Sequence, residues 1–366
     1  MKKIYLMLIL LSIPAFGAYS QKWSYLLDEK SIVSITEDKN GTIWVATSED
    51  GVYRITGDDI YEINKKNGLS YPNVKTVFID SKNRVWIGTG KTGITADGNG
   101  ICVFDGTNWK YYTKKDGLAS DAVFSFFEDS GGRMWCGTAN GVCLLKDDKW
   151  QTVDEIKIAR FTAPQFFEDK DGSIWFMYER GIFKYNDKGV IQFDENSGLG
   201  FNAALSWAKD KDGNYWFGHF RRNYSIFDGK RFETYDVGTF SVITLWAEKG
   251  AYTHEPVKVF VDSKNRIWIE AKGTGGGLFI YKNGKPEKIM EKEKYTYFHE
   301  IINICEDKTG NVWFGTIDQG ACRFDGTDWL YYEKPELPHN QVNIIYPDSR
   351  GNIWFGTFKG LAKLEL

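Results

Sequence analysis

Residues 35–47 read Ile-Thr-Glu-Asp-Lys-Asn-Gly-Thr-Ile-Trp-Val-Ala-Thr, and residues 304–316 read Ile-Cys-Glu-Asp-Lys-Thr-Gly-Asn-Val-Trp-Phe-Gly-Thr. Both stretches place Gly three residues after an Asp and Trp six residues after it. This spacing, with Gly or Asn at the fourth position, occurs eight times, starting at Asp38, Asp80, Asp129, Asp169, Asp210, Asp262, Asp307 and Asp348. An internal repeat of this kind decides the architecture before any single residue is interpreted.

The spacing of the repeats gives the size of the structural unit. Successive motif tryptophans are 42, 49, 40, 41, 52, 45 and 41 residues apart, which is the length of one four-stranded propeller blade. Gly and Asn adopt a positive φ at the least cost, and an Asp carboxylate can accept backbone N–H groups. We therefore predict that each motif forms a tight turn in which the Asp is structural and is not a metal ligand.

The strands can be predicted from the alternation of apolar and polar residues. In the third copy we predict strands at 123–128, 133–137, 141–145 and 149–153, with the motif Trp on the second strand and packed between blades. The eighth copy has only three strands, whereas residues 22–26 match the outermost strands of other copies. The expected fold is all-β: a single eight-bladed β-propeller of four-stranded blades at residues 21–366, closed into a ring by the N-terminal strand, which completes the last blade.

Composition limits the class of protein. Of the 366 residues, 16% are aromatic and 26% are charged, and the formal net charge is −3. The aromatic content excludes a disordered chain, and the mildly acidic balance makes nucleic acid an unsuitable partner. Residues 1–20 have the basic start, short apolar run and small residues of a secretory signal peptide. We therefore expect a periplasmic or extracellular protein with no membrane span in the mature chain.

The five cysteines fit this exported class, in which disulfides are permitted. Cys102, Cys143 and Cys322 each follow a Gly-apolar pair, a position that suits a small buried side chain. Cys136 and Cys143 flank a tight turn and could lie opposite each other on a hairpin. The pattern favours buried thiols without a bridge and leaves a disulfide between these two residues open.

The repeat resembles the two-component regulator propeller repeat. The resemblance rests on the runs at 35–47 and 304–316 and on the linkers Asn67-Gly68-Leu69, Asp116-Gly117-Leu118 and Ser197-Gly198-Leu199, and it extends over essentially all of residues 22–366. It implies a β-propeller like those that form the periplasmic sensor part of bacterial hybrid two-component receptors, which often respond to glycan fragments. The matching motif is structural, so the resemblance assigns no binding residue.

A ligand site is expected where the repeats differ. After the motif Trp, five copies have an apolar residue, a small residue and Thr, but copies four, five and six do not, and the longest insertion lies near 237–255. Aromatic rings stack on sugars, and arginines bind anionic oxygens. The predicted ligand-binding residues are Tyr178, Glu179, Arg180, His219, Arg221, Arg222, Trp246, Tyr252, His254, Glu270 and Lys272. The alternative is that they are ordinary solvated loop residues.

The sequence predicts a binding module and not an enzyme. The four histidines show no metal-ligand spacing, and the Gly-rich strings at 88–100 and 273–277 lack the context of a phosphate loop, so no metal or cofactor is expected. The partner is expected to be a small molecule or oligosaccharide, sensed in signal transduction. One alternative is a scaffold that binds another envelope protein. The less favoured alternative is a lyase similar to streptogramin lyases, with His219 and Glu270 as its acid–base pair.

Overall fold

The protein is an all-β, eight-bladed β-propeller. The structure, a computed structural model, describes residues 21–91, 97–153, 163–178, 180–220, 223–236, 257–271, 277–289 and 300–366. These residues contain 32 strands in eight four-stranded antiparallel sheets, each of which is one blade. The predicted fold class is therefore confirmed, and the strands predicted for the third copy lie within one residue of those observed.

In blades one to seven the strands follow the order of the chain, so that consecutive strands are neighbours. Blades one to four consist of β2 (Ile32–Glu37), β3 (Ile43–Thr47), β4 (Val52–Thr56), β5 (Asp59–Ile63); β6 (Val74–Ile79), β7 (Val85–Thr89), β8 (Ile101–Phe104), β9 (Trp109–Tyr112); β10 (Val123–Glu128), β11 (Met134–Thr138), β12 (Gly141–Lys146), β13 (Lys149–Thr152); β14 (Gln165–Glu168), β15 (Ile174–Tyr178), β16 (Gly181–Asn186) and β17 (Gly189–Phe193).

Blades five to eight repeat the arrangement. They consist of β18 (Ala204–Lys209), β19 (Tyr215–His219), β20 (Asn223–Phe227), β21 (Phe232–Asp236); β22 (Val257–Val261), β23 (Ile267–Ala271), β24 (Gly277–Lys282), β25 (Lys285–Lys288); β26 (Ile301–Glu306), β27 (Val312–Thr316), β28 (Ala321–Phe324), β29 (Trp329–Tyr332); and β30 (Val342–Pro347), β31 (Ile353–Thr357), β32 (Gly360–Glu365), β1 (Lys22–Leu26). The helical segments among the described residues are two single 3₁₀ turns, Lys114–Asp116 and Glu195–Ser197.

The chain divides into two compact units. One contains Met1–Glu62 with Glu300–Leu366, and the other contains Ile63–His299. In the first unit, the strand β1 pairs antiparallel with β32, from Lys22 opposite Glu365 to Leu26 opposite Leu361. The ring of Trp23 packs on Tyr332 of blade seven and on Phe355 of blade eight, at centroid distances of 5.7 and 5.6 Å. The N-terminal strand therefore completes the last blade and closes the ring, as predicted.

The motif aspartates stabilise their turns with both carboxylate oxygens. In blade two, Asp80 Oδ1 accepts the backbone N–H groups of Lys82 and Arg84 at 3.0 and 2.8 Å, and Oδ2 accepts the indole N–H of Trp86 at 2.8 Å. The indole bond recurs in seven of the eight copies, from Trp44, Trp86, Trp135, Trp216, Trp268, Trp313 and Trp354. The structural role of the Asp is thereby confirmed, and the indole bond is an addition that the sequence did not reveal.

The fourth motif position requires a positive φ. Gly41 has φ +76°, Asn83 has φ +62° and Asn265 has φ +58°. In each turn the N–H of this residue donates to the carbonyl of the motif Asp, for example from Asn83 to Asp80 at 2.9 Å. The restriction to Gly or Asn follows because other residues are strained in this conformation.

The motif indoles of blades two, five and seven lie against the next blade of the same unit. Trp86 of blade two is 6.0 Å from Phe126 of blade three, and Trp216 of blade five is 4.7 Å from Tyr281 of blade six. In the other unit, Trp313 of blade seven is 5.6 Å from Phe355. The predicted packing of the tryptophans between blades is confirmed.

A second contact joins neighbouring blades at the turns. The carboxylate of Glu128, at the end of β10, accepts both the backbone N–H and the hydroxyl of Ser81 in the preceding blade, at 2.6 and 2.7 Å. The same bidentate contact joins Glu168 to Ser130 and Glu37 to Ser349. The last of these pairs links blade one to blade eight.

The cysteines are free thiols. Cys136 on β11 lies directly opposite Cys143 on β12, as the sequence allowed, and both are fully buried without a disulfide. Burial raises the pKa of the Cys136 thiol well above its ordinary value. The preference for buried thiols without a bridge agrees with this arrangement.

Deleting residues 21–28 should destabilise the ring. Without β1, the edge of β32 is unpaired and the rings of Tyr332 and Phe355 lose their contact with Trp23. We expect the free energy of unfolding to fall by about 3 kcal/mol or more, measured by chemical denaturation. Tyr61→Ser, on an exposed part of β5, is the control and should change little. An unchanged unfolding curve for the deletion would contradict closure by this strand.

Asp129→Ala should lower the free energy of unfolding far more than Asp105→Ala. Asp129 is buried and accepts bonds from Gly131, Arg133 and Trp135, so its removal leaves a buried indole N–H without an acceptor. We expect a loss of about 3 kcal/mol in the free energy of unfolding. The Asp105 carboxylate also accepts two backbone N–H groups, but at an exposed turn where water can replace it. Equal effects of the two substitutions would contradict a special role for the motif carboxylate.

Candidate functional site

The ends of the second strands distinguish blades four to six from the rest. In five blades this position is a fully buried Thr whose hydroxyl donates to a glycine carbonyl at 2.8–2.9 Å and closes the hairpin to the third strand: Thr47, Thr89, Thr138, Thr316 and Thr357. Blades four, five and six have Tyr178, His219 and Ala271 there. The three blades therefore lack the side chain that elsewhere ends the strand.

The residue that precedes the last residue of the second strand also differs between blades. It is Gly in most blades, because a Cβ at Gly88 would lie 2.8 Å from the Val123 carbonyl of the next blade and one at Gly218 would lie 2.3 Å from the Val257 carbonyl. Blade six has Glu270 at this position, 4% exposed, with Lys258 and Leu278 as its neighbours across the strands. A buried acid thus replaces the glycine that permits close approach.

Tyr178 belongs to the apolar core of blades three and four. Its ring stacks on Phe183 at 5.0 Å and forms one buried cluster with Trp135 and Phe176. Burial raises its pKa far above the ordinary value, and its buried hydroxyl has no hydrogen-bond partner among the described residues. The neighbouring Arg180 is exposed. The aromatic ring is therefore held by packing, and its hydroxyl is the one polar atom it can offer.

His219 begins a chain of hydrogen bonds across blade five. Its Nε2 lies 2.7 Å from the hydroxyl of Ser225, which lies 2.8 Å from the hydroxyl of Thr234 on the outer strand. Thr234 donates to the Gly198 carbonyl at 2.9 Å, and the Gly200 N–H donates to Ser225 at 3.0 Å. A polar path therefore connects a fully buried imidazole with an exposed threonine.

The imidazole of His219 is neutral. Burial lowers its pKa from 6.5 to about 3. Its Nδ1 is buried and has no hydrogen-bond partner within the described parts of the chain. Two further buried polar atoms lack such partners there, Asn223 Oδ1 and the hydroxyl of Tyr224. Buried polar groups are normally satisfied, so this end of blade five has an unusual concentration of unused hydrogen-bonding capacity.

Ser225 and Thr234 are additions to the predicted set. Ser225 pairs with Phe217, and this third-strand position is occupied by Cys102, Cys143 and Cys322 in blades two, three and seven. In blades two and three the cysteine sulfur accepts the N–H of Ser70 or Ala119, as Ser225 accepts that of Gly200. Two exchanges in the sequence could have identified the pair of His219 and Ser225. Ser225 stands where three blades have Cys, and His219 stands where five blades have Thr.

The structure describes four of the eleven predicted ligand-binding residues. Tyr178, Arg180, His219 and Glu270 lie at corresponding ends of consecutive blades. The other seven lie outside the described residues: Glu179, Arg221, Arg222, Trp246, Tyr252, His254 and Lys272. The assembled site therefore stays a prediction. Among the described residues, no group of three or more His, Cys, Asp or Glu could hold a metal ion, and no helix is long and apolar enough to cross a membrane.

Four segments match the sequence profile of the family described as two component regulator propeller: residues 26–49, 117–140, 298–318 and 336–359. Each segment contains one complete Asp-turn motif, so the resemblance expected from the sequence is confirmed. No curated protein sequence matches the chain significantly.

Solved structures share the fold at low identity. The extracellular domain of the hybrid two-component system BT3049 from B. thetaiotaomicron is 22% identical with a TM-score of 0.53, and the match covers 94% of this chain and 54% of that one. A streptogramin B lyase is 13% identical with a TM-score of 0.55 and coverages of 94% and 98%. PorZ of the type-IX secretion system of Porphyromonas gingivalis is 16% identical with a TM-score of 0.57 and coverages of 91% and 52%. This chain thus spans about half the length of two of these relatives.

The burial of His219 predicts an acid-sensitive stability. The imidazole is protonated near pH 6.5 when the chain is unfolded but only near pH 3 when it is folded, so the unfolded state binds the extra proton between these values. Stability should therefore fall on acidification across this window, by about 1.4 kcal/mol per pH unit for this group. His219→Thr, the residue of five other blades, should remove this component from urea-unfolding curves measured at several pH values. A constant difference between the two proteins across the window would contradict it.

Proposed function

Because the chain carries two-component regulator propeller repeats, we propose that it is an exported ligand-binding module of the sensor type. The ligand site lies on the second-strand ends of blades four to six. The observation that carries the proposal is the His219–Ser225–Thr234 chain, in which His219 replaces the threonine of five other blades and Ser225 replaces the cysteine of blades two, three and seven. Polar groups placed in a packed interior cost stability, so their concentration in one blade favours a functional role.

The chemistry of the site favours a sugar, and more specifically a uronate or another sugar with a carboxylate. His219 is neutral and can exchange hydrogen bonds with hydroxyl groups. The adjacent Arg221 and Arg222 supply the positive charge that a carboxylate needs, and Trp246 and Tyr252 supply rings for stacking on a sugar face. The extracellular domain of a hybrid two-component system among the similar structures supports a role in sensing.

A thermal-shift screen tests this proposal. The probes are glucuronate, galacturonate and neutral oligosaccharides at increasing concentration. A probe present at a hundred times its Kd should stabilise the protein by about 2.7 kcal/mol and raise Tm by several degrees. Arg221→Ala with Arg222→Ala should abolish the shift for uronates and weaken it less for neutral sugars.

Arg231→Ala is the matched control for the double variant. Arg231 lies in the turn between β20 and β21, at the other end of the blade, where it pairs with Glu233. This variant should respond to the probes as the native protein does. The proposal is wrong if no probe raises Tm and the double variant alters no interaction of the protein.

Catalysis is the weaker of the alternatives. A lyase needs a base that can take up a proton near neutral pH, whereas burial lowers the pKa of His219 to about 3. The hydrogen bond of His219 goes to the hydroxyl of Ser225. The streptogramin B lyase shares the propeller fold at 13% identity, which carries no catalytic role to this chain.

A scaffold for another envelope protein is the second candidate function. It is favoured by large apolar side chains exposed on outermost strands, among them Tyr111 on β9 and the adjacent Leu330 and Tyr331 on β29. Exposed apolar side chains that lie together mark sites of protein association. The ligand screen separates the two functions, because a docking surface on the outer strands predicts no response to sugars.

A further inference from the structure

Blade four departs from the other seven in the use of its motif aspartate. Elsewhere the Asp carboxylate accepts the indole N–H of the motif Trp and the backbone N–H four residues on. In blade four the backbone N–H of Ser173 donates to Asp171 instead, at 3.0 Å. The indole N–H of Trp175 is buried and has no hydrogen-bond partner among the described residues. The turn itself is intact, because Gly172 still donates to the Asp169 carbonyl at 2.9 Å.

The carboxylate of Asp169 is turned toward blade five. The hydroxyl of Tyr215 donates to its Oδ1 at 2.5 Å, and the ammonium of Lys209 lies 3.6 Å from the same oxygen. Lys184 of blade four lies 3.8 Å from Oδ2. Burial pushes the pKa of Asp169 upward, but the Tyr215 bond, the backbone N–H of Lys170 and the charges of Lys209 and Lys184 outweigh it and hold the pKa below its ordinary value. The contacts made in blade five thus compensate for those lost in blade four.

The two side chains of blade five that contact Asp169, Tyr215 and Lys209, have no counterpart in the other blades. The position before the motif Asp is Lys209 there, whereas it is Glu or an apolar residue in the other copies. The position before the motif Trp is Tyr215, whereas it is Ile, Val or Met in the others. Blade one also lacks a long side chain at the fifth motif position, Thr42, and its Asp38 still binds Trp44 at 3.0 Å. The small Ser173 therefore does not by itself explain the departure.

We propose that Asp169 is a two-position contact between blades four and five. In one position, seen in the structure, it binds Tyr215 and Lys209 across the blades. In the other, seen in the seven remaining copies, it binds the indole of its own blade, here Trp175. The second position is available because its donor is already in place and lacks an acceptor. A change in the spacing of the two blades would move the carboxylate from one partner to the other.

The strand β19 connects this contact to the proposed ligand site. It begins at Tyr215, which binds Asp169, and ends at His219, which begins the polar chain. Four residue steps of an extended strand span about 13 Å. A ligand that shifted β19 would act on both ends of this short, fully buried element. This link to sensing rests on the proposed function, whereas the two positions of Asp169 do not.

The indole N–H of Trp175 reports the position of Asp169. The experiment records the indole resonances of ¹⁵N-tryptophan-labelled protein, with Trp175 assigned by Trp175→Phe. In the native protein we expect the Trp175 proton upfield of the seven hydrogen-bonded motif indoles. Lys209→Met with Tyr215→Phe removes both donors and keeps the aromatic ring and the aliphatic stem. In this variant the Trp175 proton should move downfield and its hydrogen exchange should slow about tenfold.

The effect of salt tests whether the Asp169 carboxylate of the native protein can move from one position to the other. At 1 M NaCl, where the screening length is about 3 Å, the Asp169–Lys209 attraction is weakened and the Trp175 resonance should move toward its place in the double variant. Lys170→Met removes an exposed lysine of the same turn and should leave the resonance unchanged. If the double variant does not fold, Lys209→Met alone should give a smaller shift in the same direction.

Two results would overturn the proposal. If the Trp175 resonance of the folded variant coincides with that of the native protein, Asp169 has no second position. If the variant shifts but salt leaves the native resonance fixed, Asp169 is a static link and not a two-position contact. Neither result depends on a ligand, so the proposed sensing function is tested separately by the ligand screen.

Discussion

The hydrogen bond between a motif aspartate and the indole six residues later is the constraint on which the propeller depends. One carboxylate closes the turn through backbone N–H groups and at the same time fixes the plane of a large aromatic ring, as Asp307 does for Trp313 at 2.7 Å. The same ring packs against the next blade, as Trp313 does against Phe355. In seven of the eight motifs, a single side chain therefore links local turn chemistry to packing between blades.

The contacts between blades follow from this orientation. Within each unit, fixed indoles meet aromatic side chains of the following blade, as Trp86 meets Phe126. Glu–Ser pairs hold adjacent turns together at the surface, as Glu37 and Ser349 do between blades one and eight. A repeat of this kind contacts only its neighbours, so every open edge weakens the whole array. The pairing of β1 with β32 removes such an edge inside one sheet and links the two termini of the folded chain.

The architecture could be predicted because its determinants are local. The Asp, the positive-φ residue and the Trp lie within seven residues of one another, so their spacing is visible in the sequence. The partners of side chains across blades were not visible, because Ser81 and Glu128, or Asp169 and Tyr215, are brought together only by the packing of separate sheets. The Ser225 bond to His219 falls between these cases, since the Cys-to-Ser exchange at one repeat position can be seen once the copies are aligned.

In blade five, polar residues replace the usual residues of the repeat at both ends of the strand β19. At the first residue of β19, an apolar position of the repeat is occupied by Tyr215, and at the last, a threonine position is occupied by His219. Each exchange gives up a repeated contact, the Asp–Trp bond of blade four in one case and the hairpin-closing hydroxyl in the other. Two such exchanges on one five-residue strand are hard to attribute to packing, because an apolar residue at the first position and threonine at the last satisfy the fold in five other blades. The strand is therefore the element in which two repeated contacts of the fold are exchanged for polar contacts that the other blades lack.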